Sequence, residues 1–381
     1  MTTVPDRAGE TAAVPGAASG RSLWGYAWLR LKKNRAAVAS IAVLALVTLV
    51  CIVGPWLSPH GYATVYRDYV KVPASLEPYP RADAIVPAVE EALRRARVEV
   101  DTVEVDGGTV TVAVTSSREI DPRITRYLDR SDLLSGAEVA GTGPDGRSMT
   151  LTAHVAREYF LFGTDANGRD LMTRTLIAGR VSLAIGLLAS IVALVIGVTY
   201  GAVAGYFGGR VDSVMMRIVD VLYSLPFMFF VILLVVFFGR NFILMFIAVG
   251  AIEWLDMARI VRGQTMMLRR QEFVEAAEAL GVGTGGILRR HIVPNVLGPV
   301  IVYVTLLVPK VILLESFLSF LGLGVQEPMT SWGVLLNDAQ NVNVVAIYPW
   351  LMLPVVPVII VVLAFNFLGD GLRDAADPYG D

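Results

Sequence analysis

Long uncharged stretches set the organisation of the chain. A helix rising 1.5 Å per residue needs roughly 20 apolar residues to cross about 30 Å of hydrocarbon. Four runs meet that length: 36–59, 181–209, 221–239 and 344–369. A fifth, 296–320, is interrupted by Lys310 and Glu315. The sixth is the weakest, because 241–252 holds only 12 uncharged residues and spans only if Glu253 and Asp256 lie near its inner end. Six membrane helices is the count these runs predict. At 24 residues the first run is too long for the apolar region of a cleaved signal and is expected to remain as a helix.

Residues 61–160 belong to a different phase, with 28 of 100 charged against 38 of the other 281. A helix is expected over 87–97, with Glu90–Arg94 and Glu91–Arg95 as i,i+4 pairs. Val103–Val105 and Val110–Val114 flank Asp106-Gly107-Gly108, a hairpin signal, and a further strand is expected near Met149–Val155. Together they predict a small α+β insert, the alternative being a disordered acidic loop. Internal repeats are not visible.

Composition agrees with lipid as part of the solvent: 55% of residues are hydrophobic, 17% charged, and the mean hydropathy is +0.60. A net charge of −2 supplies no basic field for nucleic acid. Cys51 is the only cysteine, and His60, His154 and His291 stand in no zinc-binding spacing, so neither a metal site nor a catalytic centre is expected. Orientation follows from Lys and Arg in the short flanks. With the N-terminus inside, 15 basic residues fall on the cytoplasmic side and only Arg240 in the short outer loops, although Arg169, Arg174 and Arg180 beside the second helix oppose this. Both termini are therefore expected in the cytoplasm. The division is a tail (1–35), the first helix (36–59), an extracytoplasmic insert (60–160), a helical core (161–369) and a C-terminal tail (370–381).

Within the core, the polar segment 259–295 lies between helices four and five. Phe273, Ala276, Ala277 and Leu280 share a helical face, Gly281 can take positive φ as a C′ residue, Thr284 can cap a second short helix, and Pro294 starts the next segment. The prediction is a helix, a sharp bend and another helix parallel to the membrane, small at 276 and 277, with Glu275 at the rim. Glu275-Ala276-Ala277, three residues, Gly281, twelve residues and Pro294 resemble the coupling-helix signature of binding-protein-dependent ABC importer permeases. The resemblance extends to the C-type permease subunit of dipeptide, oligopeptide and nickel importers. It runs through Phe162–Asp170, Gly179–Leu183, Gly205–Gly209, Trp254, Ala258-Arg259, Glu315–Gly324, Ser331–Gly333 and Asn366–Pro378. It covers 36–59 and 160–378, and leaves the first 20 residues and the insert outside the family pattern.

The resemblance implies an all-α polytopic type I ABC importer permease fold in the bacterial inner membrane. It also implies a second, B-type permease, two ATP-binding subunits that carry ATP and Mg, and an external solute-binding protein. Glu275, Ala276, Ala277, Gly281, His291 and Pro294 would form the ATPase-docking segment. The chain has no Gly-rich phosphate loop of the Gly-x4-Gly-Lys-Ser/Thr type, so it binds no cofactor of its own and is expected to transmit rather than hydrolyse. Peptide is the family's majority cargo.

Two clusters stay open. Thr164, Asp165, Arg169 and Asp170 read either as a contact with the binding protein or outer gate, or as a cap on the second helix through Asp165 or Asn167. Glu253, Lys310 and Glu315 are charges at membrane depth, where each is costly. Glu315 belongs to the family pattern and Lys310 does not. Their five-residue offset puts them about 140° apart, so Lys310 either pairs elsewhere, with Glu253, or lines the aqueous pathway and favours carboxylate-bearing substrates. Rival readings are a secondary transporter or channel, for which no inverted repeat is seen, and a membrane-anchored enzyme, for which 61–160 has no recognisable catalytic motif.

Overall fold

The computed structural model describes residues 23–239, 242–327, 329–339 and 346–376. Its first helix, α1 (Leu23–Lys33), lies in what the hydropathy pattern left as tail, and Leu31 packs with Ala37, Leu372 and Ala375. Helix α2 (Arg35–Leu57) starts where the Asn34 side chain accepts the Ala37 amide at 3.1 Å.

The insert is an α+β unit. Helix α3 (Ala82–Arg94) lays Ile85, Val89 and Leu93 on one face of an antiparallel sheet of order β1-β2-β4-β3. The strands are β1 (Glu99–Asp106), β2 (Thr109–Thr115), β3 (Leu134–Thr142) and β4 (Ser148–Val155), with a short helix α4 (Thr125–Leu128) before β3. Alternate residues Val110, Val112 and Val114 of β2 and Met149, Leu151 and Ala153 of β4 are buried, the period-2 pattern of a sheet covered on one side. Gly107 and Gly108 both take positive φ, as a two-residue hairpin of the primed type requires. Strand β3 carried no alternating signal because both of its ladder irregularities fall inside it. Arg95 pairs with Glu91 at 3.5 Å as expected, while Arg94 turns to Glu91 at i,i+3 rather than to Glu90.

The helical core comprises α5 (Leu171–Phe207), α6 (Gly209–Ser224), α7 (Phe227–Phe238), α8 (Phe242–Leu268), α9 (Glu272–Ala279), α10 (Thr284–Ile287), α11 (Val293–Phe320), α12 (Trp332–Ala339) and α13 (Val355–Ala376). Among the described residues four helices are long and apolar enough to cross a membrane, or five if α6 and α7, bent by 83°, count as one span. Helix α8 has the length, at 27 residues, but Glu253, Asp256, Arg259 and Arg262 lie along it. Helix α5 begins ten residues earlier than its uncharged run, because its arginines are satisfied within the protein: Arg180 donates to the Cys51 carbonyl at 2.6 Å, and Arg174 pairs with Asp165. The run 344–369 begins among residues outside those described, and its helix continues to Ala376.

Close approach of α5 and α8 organises the core. Gly197, Gly201 and Gly205 face α8 one turn apart; a Cβ would stand 2.5 Å from Met257 Cβ at 197 and 2.6 Å from the Arg262 oxygen at 205, and would collide with the Ala258 oxygen at 201. Small residues four apart let two backbones touch, which in lipid replaces the hydrophobic effect as the source of association.

Candidate coupling elbow and intramembrane charges

Helix α9 carries Glu272 and Glu275 in its first turn, where acids suit the positive helix end. Val274 and Ala277 bury against Val261, Ile287, Ile292 and Val296. Of the face expected from the sequence, only Ala277 turns inward. Phe273 is 42% exposed and Leu280 84% exposed, with Ala276 and Glu275 exposed beside them. The elbow thus presents an uncovered apolar face, with the exposed carboxylates of Glu272 and Glu275 on the same short helix.

Gly281 has φ +78°, its amide donates to the Glu278 oxygen at 2.9 Å, and the Val282 amide donates to the Ala277 oxygen at 3.0 Å. These are the two bonds of a Schellman end, with Gly281 at C′. The second arm differs from expectation. Gly283 occupies the N-cap position of α10, and Thr284 is its first helical residue. Helix α10 then runs through a π-turn, Leu288–Ile292, into α11, giving one 36-residue helix from Thr284 to Ser319 rather than a separate arm. The widened turn immediately precedes exposed Pro294, whose ring would clash with the carbonyl four residues back in a regular ladder. His291 is partly exposed, with its ring 6.4 Å from that of Phe273. Tyr206 donates to Glu278 at 2.8 Å and lies under Arg269 at 5.5 Å, joining the elbow to the end of α5.

Charges on α8 recur every three residues and pair sideways. Arg262 grips Asp212, Arg259 meets Asp220 at 2.9 Å while lying 4.4 Å over the Tyr223 ring, and Lys310 reaches Glu253 at 2.8 Å and Asp256 at 3.6 Å. Lys310 pairs with Glu253, one of the two readings weighed for it, and is among the residues around a cavity of about 670 Å³ between α6–α7, α8 and α11. Glu315 is separate and fully buried. Its carboxylate accepts from Ser331 at 2.6 Å, Ser319 at 2.7 Å and Ser182 at 3.1 Å, tying α5, α11 and the start of α12 together.

Thr164, Asp165, Arg169 and Asp170 are all buried. Thr164 donates to the Tyr69 carbonyl and accepts the Val72 amide at 3.0 Å, holding the insert to the core. The cap of α5 is Asp170, which accepts the Thr173 amide at 2.7 Å, and not Asp165 or Asn167. Asp165 instead accepts the Asn167 and Arg169 amides at 2.8 and 2.9 Å and pairs with both Arg169 and Arg174. Arg169 continues to Glu327 at 2.7 Å. Nearby, burial raises the Asp338 carboxyl, and Arg174 partly offsets this. The pairings of Arg174 with Asp165, Arg262 with Asp212 and Lys310 with Asp256, and the three serines around Glu315, were not anticipated from the sequence. The every-third-residue acids and bases of α8 were the signal that could have suggested lateral pairing along it.

An apolar helical bundle with a paired charge ladder beside a half-open cavity and an exposed elbow fits a membrane transport component. The chain belongs to the binding-protein-dependent transport system inner membrane component family, whose model matches residues 197–379, and a model of the N-terminal TM domain of oligopeptide transport permease C matches residues 22–78. It is a permease subunit, a translocating component and not an enzyme. The chain is 45% identical over 360 residues to the oligopeptide transport system permease protein OppC of Escherichia coli K12, covering 94% of this chain and 92% of that one. Identity is 41% to the Haemophilus influenzae OppC (94% and 89% covered) and 35% to the dipeptide transport system permease protein DppC of Bacillus subtilis (92% and 84% covered). The two family models together leave most of the 61–160 segment outside their matched residues.

Proposed function

We propose that this permease conducts peptides across the bacterial inner membrane as one half of a pathway completed by a B-type permease. Two ATP-binding subunits, holding ATP and Mg, drive it, and an external binding protein supplies the cargo. The peptide assignment is supported by the names of the relatives, which are oligopeptide and dipeptide permeases along nearly their whole length. In this reading α8 is the sixth span. Its charges cost about 2.5–3.5 kcal/mol each at a helix centre when unpaired, and lateral pairing to Lys310, Asp220 and Asp212 offsets that cost. Both termini lie in the cytoplasm, and the insert faces outward, where it serves binding-protein docking.

The observation that carries the coupling assignment is the exposed face of Phe273, Ala276 and Leu280 on a helix whose other side, Val274 and Ala277, is locked into α8 and α11. A cleft closing on that face would pull both long helices at once. His291 and Pro294 then form the base of the elbow, and Glu275 its polar rim. Reconstituting the chain with its partner subunits tests this: uptake is expected to require ATP and the binding protein, and ATP-independent uptake would favour a secondary transporter or channel.

A further inference from the structure

The cavity between α6–α7, α8 and α11 has apolar walls, among them Leu222, Leu225, Phe230, Leu313 and Phe317, and a small charged patch of Glu253, Asp256 and Lys310. A second hollow of about 390 Å³ on the side of Arg259 and Tyr303 shares Asp256 and Lys310, so this pair stands at the border of the two. The charges on the patch do not balance. Lys310 Nζ is at hydrogen-bond distance from Glu253, at 2.8 Å, and Glu253 has a side chain only 5% exposed. Asp256 lies beyond that range at 3.6 Å, with its side chain 32% exposed. Arg259, the next cation along α8, is engaged by Asp220. One ammonium therefore faces two carboxylates, and Asp256 is the carboxylate whose charge is least used.

We propose that this cavity receives the primary ammonium of the transported solute, with Asp256 as its ion-pair acceptor and the apolar walls accepting varied side chains. The proposal rests on the reading of the chain as a peptide permease and gives it a residue. It reverses the preference that Lys310 alone suggested: the open valence at this depth is negative, so a free amine, not a free carboxylate, is the recognised group. An ammonium at Asp256 makes a charge-assisted bond in surroundings of reduced dielectric, where such bonds are stronger than in water.

The test uses the assembled transporter in proteoliposomes, with Leu313, which is 51% exposed on the cavity wall, replaced as Leu313→Cys and labelled by a thiol reagent. The buried Cys51 serves as the unlabelled background. Ala-Phe is expected to protect position 313 at about tenfold lower concentration than N-acetyl-Ala-Phe, equivalent to about 1.4 kcal/mol. Amidating the carboxyl end is expected to change little, and adding Asp256→Asn should erase the tenfold difference. Equal protection by the free and acetylated peptides, protection by neither, or a difference that survives Asp256→Asn overturns the proposal. ATP-dependent uptake in the same vesicles is scored separately: its absence would strike the permease reading, while labelling reports on the cavity alone.

Discussion

Replacing Gly281 with Asp separates folding from coupling. The position has φ +78°, where an L-residue costs roughly 1–2 kcal/mol, and less for Asp, which tolerates this region. No heavy atom lies within 4 Å of a Cβ built there, so no packing is lost. The strain falls on the tip of an eight-residue helix that stays anchored through Val274 and Ala277. The subunit should therefore accumulate normally in the membrane. A new carboxylate beside exposed Leu280 would, however, have to be desolvated when the apolar face enters a partner's cleft, which costs more than the backbone strain. Uptake is expected to fall at least tenfold, or about 1.4 kcal/mol of lost coupling, while Gly281→Ala, with strain but no charge, retains most of it. Uptake and membrane abundance are measured together with the ATPase rate. Normal uptake by Gly281→Asp at normal abundance would refute the reasoning, as would a loss that simply follows abundance.

Other sites give outcomes of a different kind. Gly201→Val should prevent α5 and α8 from closing, since even a Cβ collides with the Ala258 oxygen; a loss of about 1–3 kcal/mol or more is expected, read as a lower thermal midpoint of the purified subunit. Arg174→Met leaves Asp165 buried with Arg169 as its remaining cation, for a cost of about 3–5 kcal/mol, and Asp165→Leu in the same chain should recover part of it. Glu315→Leu removes the acceptor of three buried serine hydroxyls, so stability should drop by about 1–3 kcal/mol; an unchanged midpoint would show that the serines find other acceptors.

The apolar runs located the long helices because hydrocarbon length is written directly in residue count. Their ends were misplaced wherever a charge was satisfied inside the protein, as Arg174 and Arg180 are at the start of α5. At the elbow, Gly281 was legible because only a residue free of Cβ strain suits that φ, whereas the inward anchor Val274 was not, because a short amphipathic helix does not say which apolar side its own subunit buries. The same limit hid the α5–α8 glycine seam, whose meaning depends on which helix lies opposite. Thr164 through Asp170 show two polar roles in one short segment, a cap at Asp170 and an ion-pair hub at Asp165, that only the folded loop separates.

Docking of α9 onto an ATP-binding subunit is the claim on which the functional account turns. Site-directed cross-linking from Ala276→Cys, on the exposed face, measures it most directly, with Val274→Cys, on the buried face, as the control. The predicted result is a cross-link from position 276 to the ATP-binding subunit whose yield changes with nucleotide, and none from 274. A cross-link from 274 in preference to 276, or none from 276 in the assembled transporter, would contradict the account.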